Sequence, residues 1–218
     1  MSISPKASRP GDVCLMPAIG ITGGISTGKS TFVGCLRELL PVATFFDADE
    51  AAHALLNRPE VGKQIRREFG AQVFSTAGHL NRAKVRAKVF GDATKKRALE
   101  RILHPRIRRQ WRTEAKEHRN SPKFFFADIP LLYETGGESL CDRVVVVACS
   151  QKVQLGRLKK RMSITATEAR KMIKSQMPLE EKIRRADHVV WNNGDRAALY
   201  EQTRFLVALW QGQTWTKK

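Results

Sequence analysis

Residues 23–30 read Gly-Gly-Ile-Ser-Thr-Gly-Lys-Ser, which matches the phosphate-loop pattern G-x-x-x-x-G-K-[ST]. The apolar residues 18–22 predict a buried strand before the loop, and residues 30–40 carry apolar side chains at helical spacing after it. A glycine-rich turn between a strand and a helix points backbone N–H groups at one place, where the phosphates of a nucleotide bind. The alternative is a glycine-rich turn that ends in Lys-Ser by chance. It is disfavoured because a predicted strand precedes the loop and a predicted helix follows it. We expect Lys29 to contact the β- and γ-phosphates and Ser30 to ligate Mg²⁺.

The composition indicates a folded protein with one core. The chain has 218 residues, enough for a well-buried core and a small inserted subdomain. Its 42% hydrophobic and 28% charged residues fit a soluble globular protein rather than a disordered one. No apolar run approaches the roughly 18 residues that span a bilayer. Residues 1–12 are followed by no apolar region, which disfavours a signal peptide and leaves a short transit peptide as a weak alternative. The size of the chain and its single domain favour a cytoplasmic location.

The charge balance predicts a polyanionic partner. Lys and Arg number 39 against 21 Asp and Glu, which gives a net charge of +18. Nucleic acid and phosphorylated small molecules are both candidates, and a generally basic, solvated surface is the alternative that needs no partner. The four cysteines form no C-x-x-C pair, so no zinc site is expected. Cys35 and Cys149 lie in apolar helix and strand patterns, which predicts buried free thiols in a reducing compartment.

Apolar segments alternate with helical patterns along the chain. Strands are predicted at residues 18–22, 45–49, 123–128, 143–149 and 188–192. Helices are predicted at residues 50–56, 59–69, 81–90, 92–103, 105–118, across 151–186 and at 195–210, with N-caps at Asp92, Thr165 and Asp195. This alternation predicts an α/β fold with a parallel sheet and helices on both faces. The helical stretch after the second strand is too long for one crossover, so we expect a subdomain over the carboxyl edge of the sheet.

Three aspartates follow predicted strands. Asp47 and Asp49 end the second strand, where residues two apart share a face and point into one crevice. We expect Asp49 to accept a proton from, or to orient, a hydroxyl group that receives a phosphoryl group, and Asp47 to be the more structural of the two. The alternative is that one of them caps the following helix. Asp128 ends a core strand, where P-loop enzymes place an acid that holds Mg²⁺, usually through water.

Two groups of basic residues suggest phosphate contacts. Arg157 and Arg161 are four apart on one predicted helix and share a face, which suggests a lid over a phosphoryl group in transfer; a solvated helix face is the alternative. His104-Pro105 predicts the start of a helix with Arg106, Arg108 and Arg109 in its first turns. Cations there oppose the helix dipole unless an anion binds, which favours a ligand phosphate, although an exposed side chain is the preferred interpretation for Arg109.

These segments in order resemble the dephospho-CoA kinase family. The resemblance covers residues 18–194 and depends on the glycine loop together with the segments Asp47-Ala48-Asp49, Ala52-His53, His104-Pro105, Asp128-Ile129-Pro130-Leu131-Leu132-Tyr133-Glu134, Gln154 to Arg161, Gln176, Lys182, Ala186-Asp187 and Asn193-Gly194. The loop alone would indicate only a superfamily, and the later segments are more specific. The family implies a P-loop NTPase fold of the nucleoside-monophosphate-kinase type, with three α/β/α layers. The kinase domain would span residues 18–210, between an extension at 1–17 and a tail at 211–218. It would contain a helical coenzyme-A-binding subdomain at about 50–118 and a lid at about 151–180.

The resemblance also implies an activity and the residues that perform it. The reaction would be phosphorylation of the 3′-hydroxyl of dephospho-CoA by ATP with Mg²⁺, the last step of coenzyme A synthesis. The residues expected to bind ATP are Gly24, Ser26, Thr27, Gly28, Lys29, Ser30 and Thr31, with Asn193 and Gly194 near the adenine. The expected catalytic residues are Asp49, Lys29 and Arg161, and the expected metal ligands are Ser30 and Asp128. The expected acceptor-binding residues are Asp49, His53, His104, Arg106, Asp128 and Leu131, although His53 fits a packing role equally well.

Some residues depart from the family pattern, and two alternatives stay open. Ser26 stands where a glycine is usual, Thr27 where a serine is usual, and Tyr133 where a phenylalanine is more typical. One alternative is a kinase for another small acceptor, such as a nucleotide or a sugar acid. The other is a P-loop NTPase that binds nucleic acid, which a 7% aromatic content without a stacking motif disfavours. We expect ATP and dephospho-CoA as partners, no nucleic acid, no membrane, and a monomer or weak homo-oligomer.

Overall fold

One parallel sheet organises the residues that the structure describes. The structure is a computed structural model, and it describes residues 17–89, 92–118 and 121–213. Within these residues the strand order is β2-β3-β1-β4-β5, and every neighbouring pair is parallel. The strands are β1 (Ala18–Gly23), β2 (Thr44–Asp47), β3 (Phe125–Asp128), β4 (Arg143–Ala148) and β5 (His188–Trp191). The strand that leads into the glycine loop is therefore the central one.

The helices follow the predicted pattern closely. They are α1 (Lys29–Leu39), α2 (Ala48–Leu56), α3 (Pro59–Phe69), α4 (Arg82–Val89), α5 (Ala93–His118), α6 (Gln151–Met162), α7 (Ala166–Lys174), α8 (Leu179–Arg185) and α9 (Arg196–Gln211). The predicted caps are confirmed, because Asp92, Thr165 and Asp195 all accept hydrogen bonds from first-turn N–H groups. The predicted end of α4 at residue 90 lies outside the described residues. None of the helices within the described residues combines the length and apolar character needed to cross a bilayer.

The sheet is covered on both faces, as its apolar strands require. Successive side chains along each strand point to opposite faces of the sheet. One face packs against α1 and α9 through residues such as Ile19, Phe126 and Trp210. The opposite face packs against α2, α5 and α8 through residues such as Phe125 and Trp111. The predicted α/β/α layering is confirmed.

A separate apolar cluster lies in the helices between β2 and β3. It is built from α2 to α5 and the turn after α3, and its buried residues are Leu55, Val61, Ile65, Phe69, Val73, Val85, Ala98, Ile102 and Leu103. The helices that interrupt the α/β alternation therefore bury apolar side chains against one another as well as against the sheet. They lie beyond the carboxyl ends of β2 and β3, which is the edge where α/β folds bind ligands.

Helix α5 corrects one prediction. Two helices were expected, with a start at His104-Pro105, but a single helix runs from Ala93 to His118 with Pro105 inside it. An interior proline removes one backbone hydrogen bond and usually breaks a helix. Here Ile102 and Leu103 pack into the α2–α5 cluster just before the proline, and Trp111 packs against the sheet after it. Packing at both ends holds the helix continuous.

Candidate active site

The glycine loop leaves an anion site at the start of α1. Gly28, at φ 97°, is the N-cap of α1 and contributes no side-chain cap, and the first turn carries no acidic residue. The N-terminal N–H groups and the positive end of the helix dipole therefore face the loop without a protein anion. Thr27 Oγ1 donates to the carbonyl oxygen of Gly24 at 2.9 Å and folds the loop back on itself. Ser26 adopts φ 60°, in the left-handed region.

Helix α6 and the turn between α7 and α8 hold the tip of the loop. The N–H of Ile25 donates to Oε1 of Gln176 at 3.0 Å, and its carbonyl oxygen accepts from Nε2 of Gln154 at 2.9 Å. Both backbone groups of one loop residue are thus satisfied by side chains from the segment predicted as a lid. The loop and this segment are therefore fixed relative to each other in this conformation.

The end of β5 supports the base of the loop. The carbonyl oxygen of Thr27 accepts from Nδ2 of Asn192 at 2.9 Å and from the guanidinium of Arg157 at 3.3 Å. The same guanidinium donates to the carbonyl oxygen of Asn192 at 2.9 Å. A Cβ at Gly28 would overlap the Asn192 amide, so this position requires glycine on steric grounds as well as for its positive φ.

Strand pairing brings Asp128 to the loop lysine. Asp128 lies beside Ile21 of β1 in register, and its carboxylate forms an ion pair with Lys29. The side chain is almost fully buried, and this desolvation raises the pKa of the carboxyl group above its usual value. Lys29 acts in the opposite direction, whereas Asp47 and Asp49 raise the pKa further. A bound cation here would relieve both the desolvation and the repulsion between the carboxylates.

A cavity of about 570 Å³ opens in front of the loop. Besides residues 23–31 of the loop, its lining consists of Asp49, Pro130, Arg157, Lys160, Arg161 and Gln176. The Arg161 side chain is exposed, and within the described part of the chain no hydrogen bond or ion pair engages its guanidinium. The cavity therefore combines an N–H-rich floor with three cationic side chains on one helix, which suits a polyphosphate.

The two acidic residues after β2 have different roles. The prediction that both end a strand and share one face is wrong, because β2 ends at Asp47 and α2 begins at Ala48. Asp47 is the N-cap: its Oδ1 accepts from the N–H groups of Asp49 and Glu50 at 2.8 and 3.0 Å. Its expected structural role is thereby confirmed. Asp49 is exposed in the first helical turn and lines the loop cavity.

A second cavity of about 880 Å³ adjoins the first. Its walls are largely apolar side chains of α5 and of the segment after β3, namely Leu99, Leu103, Ile107, Trp111, Ile129 and Leu131. Polar groups such as Arg108 and Glu134 stand among them. Asp49, Pro130 and Gln176 line both cavities. The two spaces therefore meet at these three residues, of which Asp49 is the only acid.

Some of the residues predicted to bind the acceptor line the second cavity, and others do not. Asp49, His104 and Leu131 line it. His53 is exposed on α2 and lines neither cavity, and Arg106 donates to the carbonyl oxygen of Ile102 at 2.5 Å. The dipole argument for Arg106, Arg108 and Arg109 is wrong, because these residues lie in the middle of α5 and not at a helix start.

Asn193 and Gly194 follow Asn192, which contacts the glycine loop, but they line neither cavity. The side-chain oxygen of Asn193 accepts from the N–H of Ser150 at 2.7 Å, which joins the end of β5 to the start of α6. Its neighbour Asn192 makes the contact with the loop. The segment is therefore next to the phosphate site, and no described contact tests its proposed relation to the adenine.

One lining residue, Trp111, is absent from the sequence-based prediction, which named Arg108 only as a cation at a helix start. Arg108 lines the second cavity and donates to the carbonyl oxygens of Thr135 and Gly136 at 3.0 and 3.2 Å. With His104 and Ile107, these two residues occupy one face of α5 at helical spacing. That spacing is a signal in the sequence, but it carries information only if the helix continues through Pro105.

The fold and the site define a P-loop kinase of small molecules. A glycine loop between a central parallel strand and a helix supplies a phosphate site, and an adjoining, partly apolar cavity meets it at a carboxylate. The family model of dephospho-CoA kinase matches residues 17–198 of the chain. The chain belongs to the dephospho-CoA kinase family.

Individual relatives agree with this assignment. The chain is 42% identical over 195 residues to a dephospho-CoA kinase from Geobacillus kaustophilus, covering 88% of this chain and 96% of that one. It is 37% identical over 207 residues to a dephospho-CoA kinase from Carboxydothermus hydrogenoformans, covering 94% and 99%. A solved structure from Thermus thermophilus matches with a TM-score of 0.71 and 30% identity, covering 89% and 98%. The dephospho-CoA kinase structure from Campylobacter jejuni matches with a TM-score of 0.64 and 25% identity, covering 88% and 96%.

Proposed function

We propose that the protein transfers the γ-phosphoryl group of ATP to the 3′-hydroxyl of dephospho-CoA, giving coenzyme A and ADP. The observation that carries this proposal is the junction of the two cavities at Asp49 in a chain of this family. ATP would place its phosphates in the loop cavity, and the acceptor would occupy the second cavity. In the reaction the acceptor oxygen forms a bond to phosphorus while the bond from phosphorus to the β–γ bridging oxygen breaks.

The residues around the junction would have different roles in phosphoryl transfer. The loop N–H groups and Lys29 would hold the β- and γ-phosphates, and Arg161 would stabilise the negative charge that spreads over the transferring group. Asp49 would orient the acceptor hydroxyl and accept its proton. The apolar wall from Leu99 to Trp111 suits the long, mostly uncharged arm of dephospho-CoA. The α2–α5 cluster would therefore serve as the acceptor subdomain, and residues 151–180 as the lid.

The residues beside the loop fit Mg²⁺. Ser30 and the buried Asp128 carboxylate would hold the ion, which neutralises phosphate charge when it is bound. No cluster of three or more His, Cys, Asp or Glu ligands occurs among the described residues. Such a sparse protein ligand set is normal for Mg²⁺ in kinases, because substrate phosphates and waters complete the shell. Chelation with EDTA should therefore stop turnover, and added Mg²⁺ should restore it.

The acceptor is tested by ADP release from the purified full chain with Mg-ATP. The panel comprises dephospho-CoA, a nucleoside monophosphate, a sugar acid, RNA and no acceptor. We expect release with dephospho-CoA at about 1–100 s⁻¹ and background rates otherwise. Mass spectrometry should show one added phosphoryl group on the acceptor. Faster release with another small acceptor, or stimulation by RNA, would overturn the proposal in favour of the corresponding alternative.

A further inference from the structure

Lys182 is a fully buried lysine that the proposed reaction does not use. It lies on α8 and its side chain has no solvent exposure, which is rare for lysine. Its ammonium group donates to the carbonyl oxygens of Gly23 at 3.2 Å and Pro130 at 3.1 Å, and it forms an ion pair with Glu134 Oε1 at 2.8 Å. Three acceptors match the three N–H donors of the ammonium group, so its hydrogen bonding is complete.

The three acceptors belong to different parts of the site. Gly23 is the first residue of the phosphate loop, Pro130 lines both cavities, and Glu134 lines the second cavity alone. Glu134 Oε1 also accepts from the N–H of Met177 at 3.0 Å. Gln176, which precedes Met177 in the chain, holds the tip of the loop. The Lys182–Glu134 pair thus links the wall of the second cavity to the start and the tip of the phosphate loop.

Stability alone gives a weak reason for this pair. A buried ion pair costs desolvation on both partners, and well-packed apolar residues often stabilise a fold as well or better. The pair is therefore better explained by what it holds in place. A ligand that packs against Glu134 and Pro130 restricts the same groups that fix the Lys182 ammonium, and through it the Gly23 carbonyl and the loop.

We propose that the Lys182–Glu134 pair couples the two substrate sites, so that acceptor and nucleotide bind more tightly together than separately. Lys182 is then a positioning residue, which acts through the loop and touches neither substrate. The inference depends on the proposed function for the identity of the acceptor. Because coupling of binding is reciprocal, ADP and dephospho-CoA must strengthen each other by the same factor.

The test measures ADP binding by calorimetry with and without saturating dephospho-CoA. We expect dephospho-CoA to tighten ADP binding to the unmodified protein about tenfold, within the usual range of coupling. In Lys182→Met this ratio should fall to about one. A merely structural role would weaken both affinities and leave their ratio unchanged. Arg184→Met is the matched control: Arg184 lies on the same helix, is exposed and pairs with Glu181, so its removal should preserve the ratio.

A second variant controls for misfolding of Lys182→Met. Lys182→Met leaves Glu134 without its cation, whereas Lys182→Met with Glu134→Gln removes both charges and should fold more stably. In this double variant, the ratio of the ADP affinities with and without dephospho-CoA should also be about one. A ratio near tenfold in either variant, or no coupling in the unmodified protein, would overturn the inference while leaving a dephospho-CoA kinase in place. Failure of the unmodified protein to bind or phosphorylate dephospho-CoA would instead overturn the proposed function.

Discussion

Single residues show where this chain departs from its family pattern. Ser26 stands where the resemblance implies a glycine and occupies the left-handed region at φ 60°, and its Oγ is buried without a hydrogen-bond partner among the described residues. Gln154 and Gln176 hold the backbone of the neighbouring Ile25 from both sides, which fixes the loop next to Ser26. Tyr133 is the other informative departure, because its hydroxyl group is also buried without such a partner.

Tyr133→Phe should stabilise the protein, since it removes an unpaired buried hydroxyl. We expect the free energy of unfolding to rise by about 1 kcal/mol at neutral pH. Burial raises the pKa of Tyr133 to about 12, although Arg185, stacked on the ring at 4.4 Å, opposes the rise. The unfolded chain therefore releases this proton at lower pH than the folded protein does. The native protein should lose stability relative to the variant as the pH rises from about 10 to about 12.

Urea unfolding at neutral pH and at about pH 11 measures both effects. Tyr200→Phe, the same substitution at the protein's other tyrosine, is the control. A Tyr133→Phe variant that is less stable at neutral pH, or whose advantage shrinks in alkali, would contradict the description of this hydroxyl as unpaired and buried.

At the scale of elements, the sequence predicts local structure well and fails where tertiary packing decides. The glycine loop, α3 and the caps of α7 and α9 depend on neighbouring residues, and their prediction is confirmed. The break at Pro105 is wrong, because packing at both ends of α5 outweighs a cost of about 3 kcal/mol. The shared strand face of Asp47 and Asp49 is wrong, because the Asp47 side chain starts a helix.

Arg157 and Arg161 on helix α6 have different surroundings, although the sequence predicts the same lid role for both. Arg157 donates to the loop and to the end of β5, whereas Arg161 lines the cavity without such a partner in the described residues. Arg161→Met should lower kcat by roughly 10²–10³-fold with little change in stability, because it removes charge from the transition state. Arg157→Met should raise the KM for ATP and lower the free energy of unfolding by about 1–3 kcal/mol, because the carbonyl oxygen of Asn192 loses its Arg157 donor and that of Thr27 keeps only the Asn192 amide.

Steady-state kinetics together with urea unfolding separate the two roles. Lys159→Met, an exposed position on the same helix that lines neither cavity, should change neither quantity. The assignment of roles would be wrong if Arg157→Met lowered kcat alone and Arg161→Met destabilised the fold.

At the scale of the whole molecule, the site exists only in the assembled fold. Sheet order brings Asp128 from β3 to the loop after β1, and α5 carries one wall of the second cavity. Local sequence could indicate the phosphate site because one short segment builds it. The Lys182 contact with Gly23 joins residues 159 positions apart, and no spacing rule predicts such a pair. The junction at Asp49 likewise emerges only when the glycine loop, α5 and the segments after β2 and β3 are placed together.

The most direct test of this account compares kcat of the unmodified protein, Asp49→Asn and Glu50→Gln with Mg-ATP and dephospho-CoA. Asp49→Asn keeps the size of the side chain but removes the charge that we propose orients the acceptor hydroxyl and accepts its proton. We predict a loss in kcat of roughly 10²- to 10⁴-fold with the KM for ATP little changed, and nearly normal turnover for the neighbouring exposed Glu50→Gln. Near-normal turnover by Asp49→Asn would contradict the account.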